Sequence, residues 1–142
     1  NRLIALSYSA LLHDIGKIGI SDKVLLKNGP ITDAERAEMN THPVKTQEIL
    51  ENFHFPKVLK NVPFIAALHH EKIDGSGYPW GRSKISLMGS ILALADVYEA
   101  MTTINRLYRK AKPQEVAVRE LKKLSGIHYD PRAIKALTMI FS

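Results

Sequence analysis

The sequence has 142 residues, 45% of them apolar and 24% charged, with a formal net charge of +6. That length suits one domain with its own core, and the composition is ordinary for a soluble globular chain. Cysteine is absent, which excludes disulfides and thiolate metal sites; no apolar run approaches spanning length and no leader is recognisable, so a cytoplasmic setting is expected; and the positive balance favours anionic partners such as phosphates.

From residue 2 to residue 15, Leu3, Ile4, Leu6, Leu11, Leu12 and Ile15 recur at helical spacing. Gly16 weakens this helix and Gly19 ends it. His13 and Lys17 share a face if the helix continues past Gly16. Ser21-Asp22 caps a short helix through Leu26, and Asn28-Gly29-Pro30 is a turn. Thr32 with Glu35 three residues on forms a capping box, which predicts a helix over 33–41. His42-Pro43 marks a restart, because proline is welcome in a first helical turn. The spacing then predicts helices up to about residue 51 and over 57–70, the second kinked at Pro63.

Residues 69–81 read HHEKIDGSGYPWG. Two adjacent imidazoles end an apolar run. A glycine- and proline-rich loop over 74–82 follows at once and rules out a continuing helix. Ser86 caps a long apolar helix reaching about residue 103, with Asp96 inside it. A basic segment holds Arg106, Arg109, Lys110 and Lys112. Pro113 opens a helix to about residue 124, Ser125-Gly126 stops it, and Asp130-Pro131 starts the last one. No strand is persuasive and no internal repeat is present. The chain reads as all-α.

His13-Asp14, His42 and His69-His70 each stand at a helix end or break, and Asp96 stands in an apolar helix where an unpaired carboxylate is costly. Any one of these has a bland explanation, a capped helix end or an ion pair. Together they point to a metal site, because neutral imidazole is the commonest protein metal ligand. A mixed imidazole and carboxylate donor set suits iron or manganese better than magnesium. Six donors exceed what one ion with open positions needs, so two divalent ions are expected, with Asp14 placed to bridge them. Paired ions lower the pKa of a shared water and neutralise a phosphate. Lys17 is then placed to contact a phosphate oxygen or the metal-bound water, and Lys17 and Asp14 are the catalytic candidates.

LLHDIGKIGI, the isolated His42-Pro43, HHEKIDGSGYPWG and the downstream ALADVYEAMTT closely resemble the HD-GYP domains of the HD superfamily of metal-dependent phosphohydrolases. The resemblance covers residue 11 to about residue 131. It implies an HD-domain helical bundle with a glycine-rich GYP loop. It also implies hydrolysis of cyclic di-GMP to linear pGpG, and in some members on to GMP, in bacterial signalling. By position, His13, Asp14, His42, His69, His70 and Asp96 look like the metal ligands. Gly77, Tyr78 and Pro79 look like a loop credited with partner contact, and Arg106, Arg109 and Lys110 like the cluster receiving the substrate's phosphates. Residues 1–142 are expected to form one HD-GYP domain, cut from a longer signalling protein and lacking the family's upstream helix. Arg106-Leu107-Tyr108-Arg109 departs from the family's Arg-Pro-Tyr-Arg, which frees the turn holding Arg106.

Three alternatives remain: a catalytically weak module binding a partner through the GYP loop, an HD hydrolase for another nucleotide, and a binder of nucleic acid polymers. The last is least favoured, since no aromatic-interleaved basic patch exists. Glu71 and Asp74 are candidate acceptors for histidine Nδ1–H groups, with solvent exposure equally good for Glu71. Tyr78 is expected to pack on the domain, His128 to serve helix capping, and His54 and Lys122-Lys123 to lie on the surface.

Overall fold

The computed structural model describes residues 1–103 and 111–141. It is helical throughout: α1 (Arg2–Leu12), a 3-10 turn (Ile15–Gly19), α2 (Asp22–Leu25), α3 (Asp33–Met39), α4 (His42–Glu51), a second 3-10 turn (Lys57–Leu59), α5 (Val62–Ala66), α6 (Leu87–Thr102), α7 (Gln114–Lys122) and α8 (Pro131–Ile140). Among the described residues the only β pairing is an isolated bridge between Ser125 and Tyr129. Among the described residues no helix is long and apolar enough to cross a membrane.

A five-residue helix, α5, does the most central work. α5 packs on α1, α4 and α6. Val62, Ile65, Ala66, Ala67 and Leu68 are all buried, so this segment is the hub through which the N-terminal helices meet α6. A helix predicted over 57–70 is thus broken into a 3-10 turn, a five-residue α-helix and the turn that carries the two histidines. Pro63 is the cause. It lies in the first turn of α5, where its missing N–H costs nothing, rather than kinking a longer helix. The second half packs α6 against α7 and α8 around Ala93, Leu94, Leu121, Tyr129, Ala133 and Ile134.

The helix starts follow the local chemistry. Thr32 and Glu35 close a complete capping box. The Ser86 hydroxyl accepts from the Gly89 N–H at 3.1 Å, and the Asp130 carboxylate accepts from the Arg132 N–H at 2.8 Å. Asp130 therefore caps α8, and His128 does not. The His128 carbonyl instead accepts from the Ile73 N–H at 3.1 Å, tying the closing turn to the glycine loop.

α1 stops at Leu12, three residues earlier than its apolar pattern suggests. The reason is a close approach to α4. The Thr46 hydroxyl donates to the His13 carbonyl at 2.8 Å and accepts from the Gly16 N–H at 3.0 Å. A Cβ on Gly16 would lie 2.0 Å from the His42 carbonyl oxygen and 2.4 Å from the Thr46 nitrogen. Only glycine lets residues 13–19 tuck against α4, and that tuck carries His13 and Asp14 toward His42.

Candidate metal centre

Three of the four clustered histidines are held in the same way. The Nδ1–H of His13 donates to the Ala10 carbonyl at 2.7 Å, that of His42 to the Met39 carbonyl at 2.8 Å, and that of His69 to the Ala66 carbonyl at 2.7 Å. Each acceptor lies three residues back, where a helix end or break frees it. A carbonyl only accepts, so the proton is assigned to Nδ1 and the Nε2 lone pair of each ring is left to face inward. Backbone carbonyls therefore do the orienting work expected of Glu71 and Asp74.

The inward-facing atoms converge. His42 Nε2 and His69 Nε2 are 3.0 Å apart. Asp14 Oδ1 lies 3.4 Å from the first and 3.7 Å from the second. Asp14 Oδ2 is 3.4 Å from His13 Nε2, which is itself 3.7 Å from Asp96 Oδ1. The His70 ring stands 4.1 Å from that of His69 and 5.0 Å from that of His42, centroid to centroid. Among the described residues two triads emerge, His42–His69–His70 and His13–Asp14–His69, each with donor atoms within 4.8 Å of one another, and His69 belongs to both. Lys17 Nζ closes the rim with a 2.5 Å bond to Asp14 Oδ2. It reaches Asp14 from the 3-10 turn rather than from a continued α1.

This arrangement is unfavourable without a cation. Two imidazole nitrogens whose protons are both committed elsewhere meet as acceptor against acceptor, with a carboxylate oxygen beside them. Ligands about 2.1 Å from one ion lie about 3.0 to 3.4 Å apart around an octahedron or tetrahedron; the 3.0 and 3.4 Å spacings fall in that range and the 3.7 Å one lies slightly beyond it, so the cluster fits a shared divalent ion with a small adjustment. The donor set thus fits divalent metal, in line with the chemistry of nitrogen and oxygen ligands.

The electrostatics are consistent. Burial, reinforced by the neighbouring His70, pushes the His69 imidazole down to about 3. Burial and the nearby His42 push His70 down to about 4. Both rings are therefore neutral and free to ligate at pH 7. Burial works to raise Asp14, but the adjacent His42 ring and the Lys17 ammonium bonded to the carboxylate outweigh that and hold it well below its usual range. Asp96 is likewise pushed up by burial yet lowered overall by the neighbouring His13. The neighbouring Asp96 carboxylate in turn raises His13 against the cost of burial.

A cleft of about 490 Å³ opens beside these groups, between the end of α1 and α6, lined by His13, Asp14, Lys17, His70, Asp96 and Val97 among others. On the other side the glycine loop folds back. The Tyr78 ring stacks on His70 with centroids 4.6 Å apart and planes 22° from parallel. The Tyr78–Pro79 peptide is cis. Tyr78 thus packs inward, as the sequence suggests. Trp80 stacks on Phe64 at 6.1 Å, and the Arg82 guanidinium sits 5.4 Å and 5.3 Å from those two rings.

All of His13, Asp14, Lys17, His42, His69, His70 and Asp96, drawn from four separate stretches, meet in one place. Arg106, Arg109 and Lys110 lie outside the described residues. Asp74 does not hold a histidine Nδ1–H of the cluster. Its Oδ1 accepts from the N–H and hydroxyl of Ser76 at 2.9 and 2.7 Å, and its Oδ2 lies 3.6 Å from His128 Nε2. Glu71 is fully buried rather than solvent-exposed, and it accepts from backbone N–H groups. Thr46 is a structural partner that the sequence gives little sign of; its one signal is a hydroxyl four residues after His42 on a buried helix face.

With this geometry in view, comparison with known proteins is informative. The HD domain family matches residues 1–133. A cyclic di-GMP phosphodiesterase of Thermotoga maritima is 43% identical over 133 residues, covering 92% of this chain and 36% of that protein. A cyclic di-GMP phosphodiesterase of Vibrio cholerae is 40% identical over 141 residues, covering 93% of this chain and 28% of that protein. A 3'3'-cGAMP-specific phosphodiesterase of Vibrio cholerae is 38% identical over 136 residues, covering 94% of this chain and 29% of that protein. The chain spans about a third of the length of these curated relatives.

Proposed function

Since the chain belongs to the HD domain family, we propose that it is a metal-dependent phosphodiesterase that opens a cyclic dinucleotide. The observation that most directly supports this reading is the meeting of His42 Nε2, His69 Nε2 and Asp14 Oδ1 as mutually facing acceptors at 3.0 to 3.7 Å. His13, Asp14, His42, His69, His70 and Asp96 would hold two divalent ions, iron or manganese, which when bound would supply a nucleophilic water at neutral pH and neutralise the phosphoryl oxygens.

The chain's own groups have distinct tasks. The Asp14 carboxylate presents one oxygen to His42 and His69 and the other to His13, which places it between the two triads. Lys17, bonded to that second oxygen, brings a positive charge to the cleft rim, where it contacts a substrate phosphate. Arg106, Arg109 and Lys110 receive the remaining phosphate charge. Hydrolysis adds one water across a P–O bond, the ribose oxygen leaves with a proton, and cyclic di-GMP becomes linear pGpG.

A second substrate is favoured by a specific observation, the 38% identity to a 3'3'-cGAMP-specific enzyme. Purified chain loaded with Mn²⁺ or Fe²⁺ should convert cyclic di-GMP, 3'3'-cGAMP or both to linear products resolved by chromatography. Asp14→Ala should lower turnover at least ~100-fold. Binding of either dinucleotide that persists after metal stripping, with no linear product from the metal-loaded chain, would instead mean a receptor module.

A further inference from the structure

His70 differs from the other three clustered histidines. Among the described residues no hydrogen bond reaches its ring, whereas His13, His42 and His69 each donate to a backbone carbonyl. What holds the His70 ring is the Tyr78 face stacked on it. Tyr78 in turn is placed by the backbone of the glycine loop. Its N–H donates to the His70 carbonyl at 3.1 Å, and Gly77 passes so close to residues 70–72 that a Cβ there would lie 2.5 Å from the His70 carbonyl oxygen. The far limb of the loop is pinned by one side chain. The Glu71 carboxylate is fully buried and accepts the Trp80 N–H at 2.7 Å on one oxygen and the Arg82 N–H at 2.8 Å on the other.

A buried carboxylate spent on two loop amides is expensive unless the loop's position matters, because its desolvation has to be met by those two bonds. We propose that Glu71 is a positioning residue: by clamping Trp80 and Arg82 it holds the Tyr78 ring against His70 and so sets that imidazole for the metal centre. The chain of contacts runs from Glu71 to the loop backbone, from the loop to the Tyr78 ring, and from Tyr78 to His70. Glu71 is not among the residues that line the cleft beside the donor atoms. The inference rests on the metal-centre reading for its functional consequence, while the ring placement itself does not depend on a metal.

The test separates the two. In the metal-free chain, the His70 ring protons should show an upfield ring-current shift from Tyr78. Glu71→Ala should move them toward ordinary values, and Tyr78→Ala should abolish the shift. Tyr78→Phe, which keeps the ring, should preserve it. Direct titration with Co²⁺, followed by its visible spectrum, should show 10- to 100-fold weaker binding for Glu71→Ala and Tyr78→Ala but not for Tyr78→Phe. Unchanged His70 signals and unchanged Co²⁺ affinity in a folded Glu71→Ala chain would overturn the proposal. Should that variant not fold, Tyr78→Ala with Glu71 intact decides it, and wild-type Co²⁺ affinity there would overturn it equally. Absence of Co²⁺ uptake by the wild-type chain would overturn the metal-centre reading, and the His70 signals would then decide on Glu71 alone.

Discussion

Lys17 shows how a single side chain can belong to the chemistry without belonging to the donor set. Its ammonium group bonds Asp14 Oδ2, while the other Asp14 oxygen faces His42 and His69. Lys17→Met should therefore leave metal affinity within a few-fold of wild type and lower turnover of the cyclic dinucleotide ~100-fold or more. Parallel Mn²⁺ titration and product chromatography check this, and equal losses of affinity and rate would place Lys17 in the metal shell instead. At this scale the sequence was most legible where residue type alone limits the options. Histidines and aspartates at apolar-to-polar boundaries have few uses, and His13, Asp14, His42, His69, His70 and Asp96 do meet. Glu71 was less legible, because a glutamate between a histidine and a lysine looks like a surface residue. Only the folded loop brings the Trp80 and Arg82 amides onto it.

At the scale of elements, the centre depends on how closely the 3-10 turn after α1 approaches α4. Gly16→Ala would thrust a Cβ into the His42 carbonyl and the Thr46 amide, both backbone atoms that have little room to yield. It should cost ~3 kcal/mol or more in urea unfolding and weaken metal binding as His13 and Asp14 are displaced. Thr46→Val, by contrast, keeps the shape and strips a hydroxyl that serves both Gly16 and His13, for a loss of about 1–3 kcal/mol. Near-wild-type stability in both would mean that this contact is not what sets the centre. The helix starts were readable because caps are local, as Thr32, Ser86 and Asp130 show. The helix ends were not. α1 stops at Leu12 because of a tertiary partner thirty-four residues away in α4, Thr46, and no pattern within α1 itself records that. The segment 57–70 misled in the same way: an apolar run reads as one long helix, whereas burial on several sides needs no single helical face and lets Pro63 open a short one.

For the whole molecule, the clustered imidazoles tie stability to pH. His69 and His70 titrate near 3 and 4 in the folded chain and near 6.5 when unfolded. As pH falls from about 6.5 toward 4, the unfolded chain takes up protons that the folded chain refuses, so the metal-free protein loses stability. The slope is at most ~1.4 kcal/mol per pH unit for each ring, less for the partly exposed His70. His13 works in the opposite sense. Its folded pKa is raised, so its contribution is complete below its unfolded value and is lost as pH rises through the folded one. Asp14 and Asp96 are lowered, and what they contribute is lost only below the usual carboxylate range. Two rings against one leave a net loss on acidification. Urea midpoints in EDTA should fall between pH 7 and pH 5, and His70→Gln should flatten the fall; a pH-independent midpoint would contradict this. The all-α class was legible from periodicity and turn chemistry over the full length, and the convergence of residues 13 to 96 was read from histidines and aspartates at apolar-to-polar boundaries and then reinforced by motif resemblance. The most direct test of that convergence is anomalous diffraction from crystals of the chain soaked in Mn²⁺. The account predicts anomalous density between His42 Nε2, His69 Nε2 and Asp14, with a second peak toward His13 or His70; a well-soaked crystal with no density among these side chains would contradict it.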